Sequence, residues 1–200
     1  MSAENPALAL YAAHGAALAA RYETVAPAQL FAPVADLLPP APARVADLGA
    51  GSGRDAAWFA GQGHQVTAVE PVAELREAAR HRHAGAGIDW VADQLPGLAG
   101  LDGRSFDLLL LIAVWHHLDT AQRAEAMVRL HDLSAESARV VLSLRHGPEQ
   151  PESGAFAPDV EGTIRMAEAK GFTLLRRVEA EAQQRQDTAG INWTWLVLAA

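Results

Sequence analysis

VADLGAGSGRD, Val45 to Asp55, is a short apolar run carrying one carboxylate, then three glycines in five residues, then the start of a helix-forming stretch. Asp47 precedes Gly49, Gly51 and Gly53. Glycines at alternate positions let the backbone turn sharply and leave no Cβ between it and a ligand. The helix that follows begins with unpaired N–H groups. Strand, glycine turn and helix N-terminus in that order predict a parallel α/β sheet, with a ligand beyond the carboxyl ends of its strands.

The chain on either side fits that reading. Residues 7–38 are rich in Ala and Leu at helical spacing, divided by Pro27 and Pro33, and Pro39 to Ala43 forms a stiff connector. After it, strands and helices alternate. Strands are predicted at 44–48, 65–70, 88–92, 106–114 and 138–144, and helices at 54–63, 71–85, 118–133 and 159–171. Pro71 suits a first helical turn, and Asp119 with Gln122 reads as a capping box. The uninterrupted run FDLLLLIAV suits a parallel strand covered on both faces. Residues 172–180 and 191–199 follow without a helix between them, so the last strand pairs antiparallel. The expected fold is a three-layer α/β sandwich. Its open, mostly parallel sheet has seven strands with the last reversed, and N-terminal helices cover it. Residues 1–43 are read as a helical cap and 44–200 as the sheet domain.

Composition narrows the function. The 200 residues carry a formal net charge of −8, which disfavours nucleic acid as the main partner. There is no cysteine, so disulfides, thiolate metal sites and cysteine nucleophiles are excluded. The opening stretch carries Glu4 and no positive charge ahead of its apolar run, unlike a secretory signal, and no stretch is long enough to span a membrane. The expectation is a cytoplasmic monomer or homodimer. No metal site is expected: His81 and His83 have no evident carboxylate partner, and the adjacent His116 and His117 would point apart in regular structure.

A dinucleotide turn would place its third glycine where this chain has Arg54, and Asp47 would repel a pyrophosphate. The same carboxylate would welcome an amino-acid ammonium. VADLGAGSGR resembles the glycine-rich first motif of the class I S-adenosylmethionine (SAM) methyltransferases, whose order of strands and helices matches residues 44–145. The resemblance implies SAM as cofactor, with S-adenosylhomocysteine as product. It implies Glu70, ahead of Pro71, on the ribose hydroxyls. It implies Asp93, ahead of Gln94, on the adenine amine, with Leu95 or Ile112 flanking the ring. The methionine end would lie over Gly49, Ala50 and Gly51, with Asp47 organising the turn or receiving the ammonium, directly or through water. Arg54, Arg21 and Tyr22 are the candidates for its carboxylate.

The sulfonium already activates the methyl group, so the chain has only to align a nucleophile and exclude water. Candidates for contact with the acceptor follow the fourth and fifth strands. They are Trp115, His116, Arg145 and His146, with His14 in the cap as a further one. His117 is read as structural. Trp193 and Trp195 share one face of the last strand and are read as core packing under a helix. The segment from His146 to Asp159 is long for a connector and is expected to help build the acceptor pocket. A small-molecule acceptor is favoured. RNA or protein as acceptor, a non-catalytic SAM-binding subunit and a dinucleotide oxidoreductase are the alternatives.

Overall fold

A computed structural model describes residues 6–148, 154–181 and 191–200. Helix α1 (Pro6–Tyr22), the short α2 (Pro27–Leu30) and a 3-10 turn at Ala32–Leu37 lead into the sheet. The chain then alternates: β1 (Arg44–Leu48), α3 (Arg54–Gly61), β2 (Gln65–Val69), α4 (Ala73–Arg82), β3 (Asp89–Val91), β4 (Phe106–Leu111), α5 (Thr120–Leu133), β5 (Ser134–His146) and α6 (Val160–Glu168). It closes with β6 (Thr173–Glu181) and β7 (Asn192–Ala199).

The seven strands form one sheet in the order β3-β2-β1-β4-β5-β7-β6, with β7 antiparallel to both neighbours and the other pairs parallel. The strand order reverses between β1 and β4, which opens a crevice at their carboxyl ends. Leu48, Val69 and Val91 stand level across β1, β2 and β3, so the residues just after these strands project from one rim.

Apolar residues explain the layers. One face of the sheet packs Leu109, Leu111, Val140 and Leu142 against Ala126, Met127 and Leu130 of α5 and Ile164 and Ala167 of α6. The other packs Val45, Leu108, Leu110 and Val141 against Ala56 and Phe59 of α3, with Phe31 and Val34 from the N-terminal segment fully buried among them. A smaller cluster joins Leu8, Tyr11 and Ala19 of α1 to Val72 and Leu75 at the start of α4.

The capping box forms as read: the Asp119 carboxylate accepts the Gln122 N–H at 2.9 Å, and the Gln122 side chain accepts the Asp119 N–H at 2.9 Å. Replacing Asp119 with alanine is expected to destabilise the fold by about 1 kcal/mol, read as a lower Tm in thermal unfolding. The start of α4 differs from the expectation. It begins at Ala73, leaving Pro71 outside its first turn. The Glu70 carboxylate reaches forward and accepts the Val72 N–H at 2.8 Å, taking the helix entry over from the proline.

Candidate active site

Two cavities of about 180 and about 120 Å³ open along the crevice and share Gly49, Gly51 and Ala113 as walls. The smaller is lined by Glu70, Pro71, Asp93, Gln94 and Leu95 from the ends of β2 and β3, with Ala7, Leu8 and Tyr11 of α1 over it. The larger is lined by Asp47, Ala50, Arg54 and Asp55, by Tyr22, Val25, Leu30 and Pro33 of the N-terminal segment, and by Ile112, Ser143, Trp193 and Trp195.

The glycine turn is built as its sequence requires. Gly49, Gly51 and Gly53 have φ of +81°, +55° and +78°. The Gly49 and Ala50 N–H groups both donate to the Val69 carbonyl, at 2.8 and 2.9 Å, which ties the turn to β2. A Cβ on Gly51 would meet nothing within 4 Å, so it would project into open crevice. Glu70 locks the other side: it is 5% exposed, and its second oxygen accepts the Gly51 N–H at 2.8 Å. Burial pushes its pKa up, against the two N–H bonds that favour the charged form. Asp93 accepts the N–H groups of Gln94 and Gly100, at 2.7 and 2.6 Å. Each carboxylate oxygen still has a lone pair to offer a ligand.

Asp47 is buried at 3% exposure, and its Oδ2 has no hydrogen-bond partner. Burial, helped by the charge of Asp55, pushes its carboxyl up to about 8, while Arg54 pulls it down. Asp47 belongs to the wall of the larger cavity, and a cationic group arriving beside it would favour the ionised carboxylate.

Other candidate residues lie elsewhere than the sequence placed them. Arg54 is on the cavity wall, but its guanidinium is held in a bidentate pair with Asp55 at 2.7 and 2.8 Å and donates to the Tyr22 carbonyl. It clamps α1 to α3 more than it offers itself to a ligand. Arg21 and His14 are exposed and line neither cavity, because α1 turns its Tyr11 and Tyr22 side inward. Ile112 lines the larger cavity and not the one holding Asp93. Trp115 is fully buried in the core, with its Nε1–H donating to Thr163. His146 lines neither cavity; its Nε2 is 2.7 Å from the Thr194 hydroxyl. Arg145 is half-buried and also lines neither.

The histidine pair departs most. The two residues sit in a 3-10 turn after β4, and their rings lie 4.0 Å apart instead of pointing away from each other. His117 faces the smaller cavity, while His116 is 7% exposed, lines neither cavity, and has an unpartnered Nδ1. The His117 Nδ1 lies 2.9 Å from the Gly154 carbonyl, which can only accept, so Nδ1 carries the proton and Nε2 accepts from the Tyr11 hydroxyl at 3.2 Å. Burial lowers the pKa of both rings, and the charge of Arg145 lowers both further.

Near the smaller helix end, His83 does have a carboxylate neighbour, Glu23, at 3.5 Å. No group of three or more metal-ligating side chains occurs among the described residues. No helix among them is long and apolar enough to cross a membrane. Of the segment expected to build the acceptor pocket, residues 149–153 lie outside the described residues. The part from Gly154 to Ala157 is tied to His116, His117 and Arg123 and lines neither cavity.

Sequence reading missed Tyr11, Val114 and Ser143; Trp195 packs in the core as read, with Trp193 against it, and both also line the larger cavity. Sequence reading also missed Ala113, an L residue held at φ +58° where both cavities meet, with its N–H donated to the Ser143 hydroxyl at 2.7 Å. Strained backbone at a shared wall is a signature of a functional site. The alternation of Trp193 and Trp195 was the one sequence signal available, and it did not say which face was open.

Residues 45–136 match the methyltransferase domain family. An uncharacterised methyltransferase of Mycobacterium tuberculosis is 33% identical over 95 residues, covering 47% of this chain and 37% of that protein, so the match spans little more than a third of the relative. Among solved structures, the 1,6-didemethyltoxoflavin N1-methyltransferase of Burkholderia thailandensis, with 1,6-didemethyltoxoflavin and S-adenosylhomocysteine bound, is 26% identical. The likeness covers 79% of this chain and 71% of that one at a TM-score of 0.64. A TehB-like SAM-dependent methyltransferase of Corynebacterium glutamicum shares the fold at 19% identity, covering 92% and 97% at a TM-score of 0.66.

Proposed function

We propose that this chain, whose residues 45–136 match the methyltransferase domain family, transfers the SAM methyl group to a small-molecule acceptor. The observation that carries the reading is the alignment of three carboxyl groups, Asp47, Glu70 and Asp93, along one crevice beside the open turn at Gly51. Glu70 is set to accept the ribose hydroxyls and Asp93 the adenine amine, beside Leu95, with Pro71 and Gln94 completing that wall. Asp47 Oδ2 is set to receive the ammonium above Gly49, Ala50 and Gly51. Tyr22 and Arg54 close the methionine end. Bound there, SAM supplies a methyl group already activated by the sulfonium.

The rest falls to the chain. Tyr11 and Tyr22 of α1 cover the crevice and exclude water. His117, neutral with its Nε2 lone pair accepting the Tyr11 hydroxyl, is placed to take a proton from an acceptor hydroxyl or amine relayed through Tyr11. His116, behind it, positions that ring. The 1,6-didemethyltoxoflavin bound to the Burkholderia neighbour supports a small acceptor here.

Binding of SAM and S-adenosylhomocysteine by calorimetry, and transfer of labelled methyl to fractionated metabolites, test the reading; a protein that binds neither compound refutes it. Asp47 gives a sharper sign. Its folded pKa lies above the ordinary carboxyl value, so empty protein holds a proton that the unfolded chain has lost between pH 4 and 8. That contribution to stability is present in acid and lost as pH rises through about 8. An ammonium arriving at Oδ2 favours the ionised carboxylate. SAM binding at pH 7 is therefore expected to release about one proton, measured as a dependence of binding heat on buffer ionisation enthalpy. Release should vanish at pH 9.5 and in Asp47→Asn.

A further inference from the structure

The part of the larger cavity away from the glycine turn is aromatic, and it sits beside a cation with no carboxylate. Trp193 and Trp195 form its floor on β7. Trp195 is buried edge-on against Phe31, while Trp193 is half-buried. Across from Trp193 on β6 stands Ala180, so its neighbour on that side is a methyl group, not a bulky side chain. Across from it on β5 stands Arg145. Directly opposed residues put their side chains on the same face of a sheet, so Arg145 shares the Trp193 face, and its guanidinium lies over Gly147, just outside the cavity.

Arg145 makes no ion pair among the described residues, although Arg44, Arg54, Arg104, Arg129, Arg176 and Arg177 each do. Its charge is felt at Tyr11, His116 and His117, the groups around the junction of the two cavities. Glu70 also acts on Tyr11 from the smaller cavity, so the positive charge of Arg145 is local to the Trp193 side. A half-buried guanidinium with no ion-pair partner among the described residues favours an incoming carboxylate, which it can grip with two parallel hydrogen bonds. Ser143 adds a third contact. It is 1% exposed and lines the cavity, and its Oγ accepts the Ala113 N–H, leaving the hydroxyl proton free to be donated.

We propose that the acceptor is a small, flat aromatic acid, with its ring against Trp193 and its carboxylate on Arg145. The proposal rests on the methyl-transfer reading and names the class of acceptor for it. An amine would meet Arg145 as a like charge. A polymer chain would have to enter a cavity of about 180 Å³ roofed by Tyr22, Val25, Leu30 and Pro33.

The test uses the full chain saturated with S-adenosylhomocysteine and three ring probes: 4-hydroxybenzoate, phenol and benzylamine. Tryptophan fluorescence follows their binding. The acid is expected to bind most tightly, and Trp193→Phe to remove most of its signal while the fold, judged by Tm, is kept. Arg145→Gln is expected to weaken the acid at least tenfold, toward the level of phenol, and to leave phenol and S-adenosylhomocysteine as they were. Arg145→Lys should recover only part of the loss, because a lysine lacks the two-pronged grip. Equal binding of phenol or benzylamine to the wild type, or an acid affinity unmoved by Arg145→Gln, overturns the proposal. If S-adenosylhomocysteine itself does not bind, the cofactor reading falls; if it binds and all three probes are ignored, only the aromatic-acid assignment falls.

Discussion

Glu70→Ala is expected to lower SAM affinity by at least a hundredfold. Two hydrogen bonds from ribose hydroxyls to a buried carboxylate are worth roughly 1.5–3 kcal/mol each, and tenfold in affinity corresponds to about 1.4 kcal/mol. The same carboxylate also accepts the Gly51 and Val72 N–H groups, so its loss releases the glycine turn and the entry to α4 together. Those two orphaned donors should cost about 1–3 kcal/mol of stability. Part of this is returned, because a buried carboxylate whose pKa is pushed up is itself unfavourable to hold ionised. The folded variant should therefore survive at room temperature. Glu70→Gln keeps one acceptor oxygen and should fall between wild type and alanine. Calorimetric titration with SAM, beside thermal unfolding, separates the two effects. Unchanged SAM affinity in Glu70→Ala would remove Glu70 from the site.

Gly49→Ala is expected to damage both the fold and the candidate site with a single methyl group. At φ +81° an L residue is strained by about 1–2 kcal/mol. Its Cβ would also stand 2.6 Å from Val114 Cγ2, a branched side chain with little freedom to withdraw. Crowding of that kind costs about 1–3 kcal/mol more. For a chain of this size, such a sum lowers the Tm by roughly 5–15 °C. Because Gly49 walls both cavities, SAM binding should fail in parallel. The pair of causes can be divided: Gly49→Ala with Val114→Ala should recover the crowding part and leave the backbone strain. A Gly49→Ala protein with wild-type Tm would show that the turn has another conformation within reach.

Much of the site was legible because its chemistry is local. Asp47, the glycines, Glu70 and Asp93 each lie within a few residues of a strand end, and strand ends are marked by where an apolar run stops. The element boundaries were less so. Pro71 looked like a helix start, yet a carboxylate one residue upstream had taken that role. Strand β5 was read as 138–144 and runs from Ser134 to His146, because its ends are held by pairing with β4 and β7 that no local pattern announces.

The residues around the junction of the cavities were the least legible. His116 and His117 are neighbours of the same type, and only the 3-10 turn decides that His117 faces the crevice while His116 is buried behind it. Arg21 and Tyr22 are likewise adjacent, and the rotation of α1 on the core sends one to solvent and the other to the cavity. Trp193 looked like core packing because alternation gives a face but not what covers it.

Hydrophobic period, glycine chemistry and apolar runs within single short segments are enough to give the alternating α/β fold, the reversed last strand and the three acidic residues at strand ends. Contacts across the fold settle which histidine meets the crevice, that Arg54 is paired with Asp55, and that Arg145, without an ion pair among the described residues, stands opposite Trp193. Those facts depend on contacts between segments distant in the chain, such as β5 with β7 and α1 with α3, and the free energy of such a contact belongs to the pair and is written in neither segment alone.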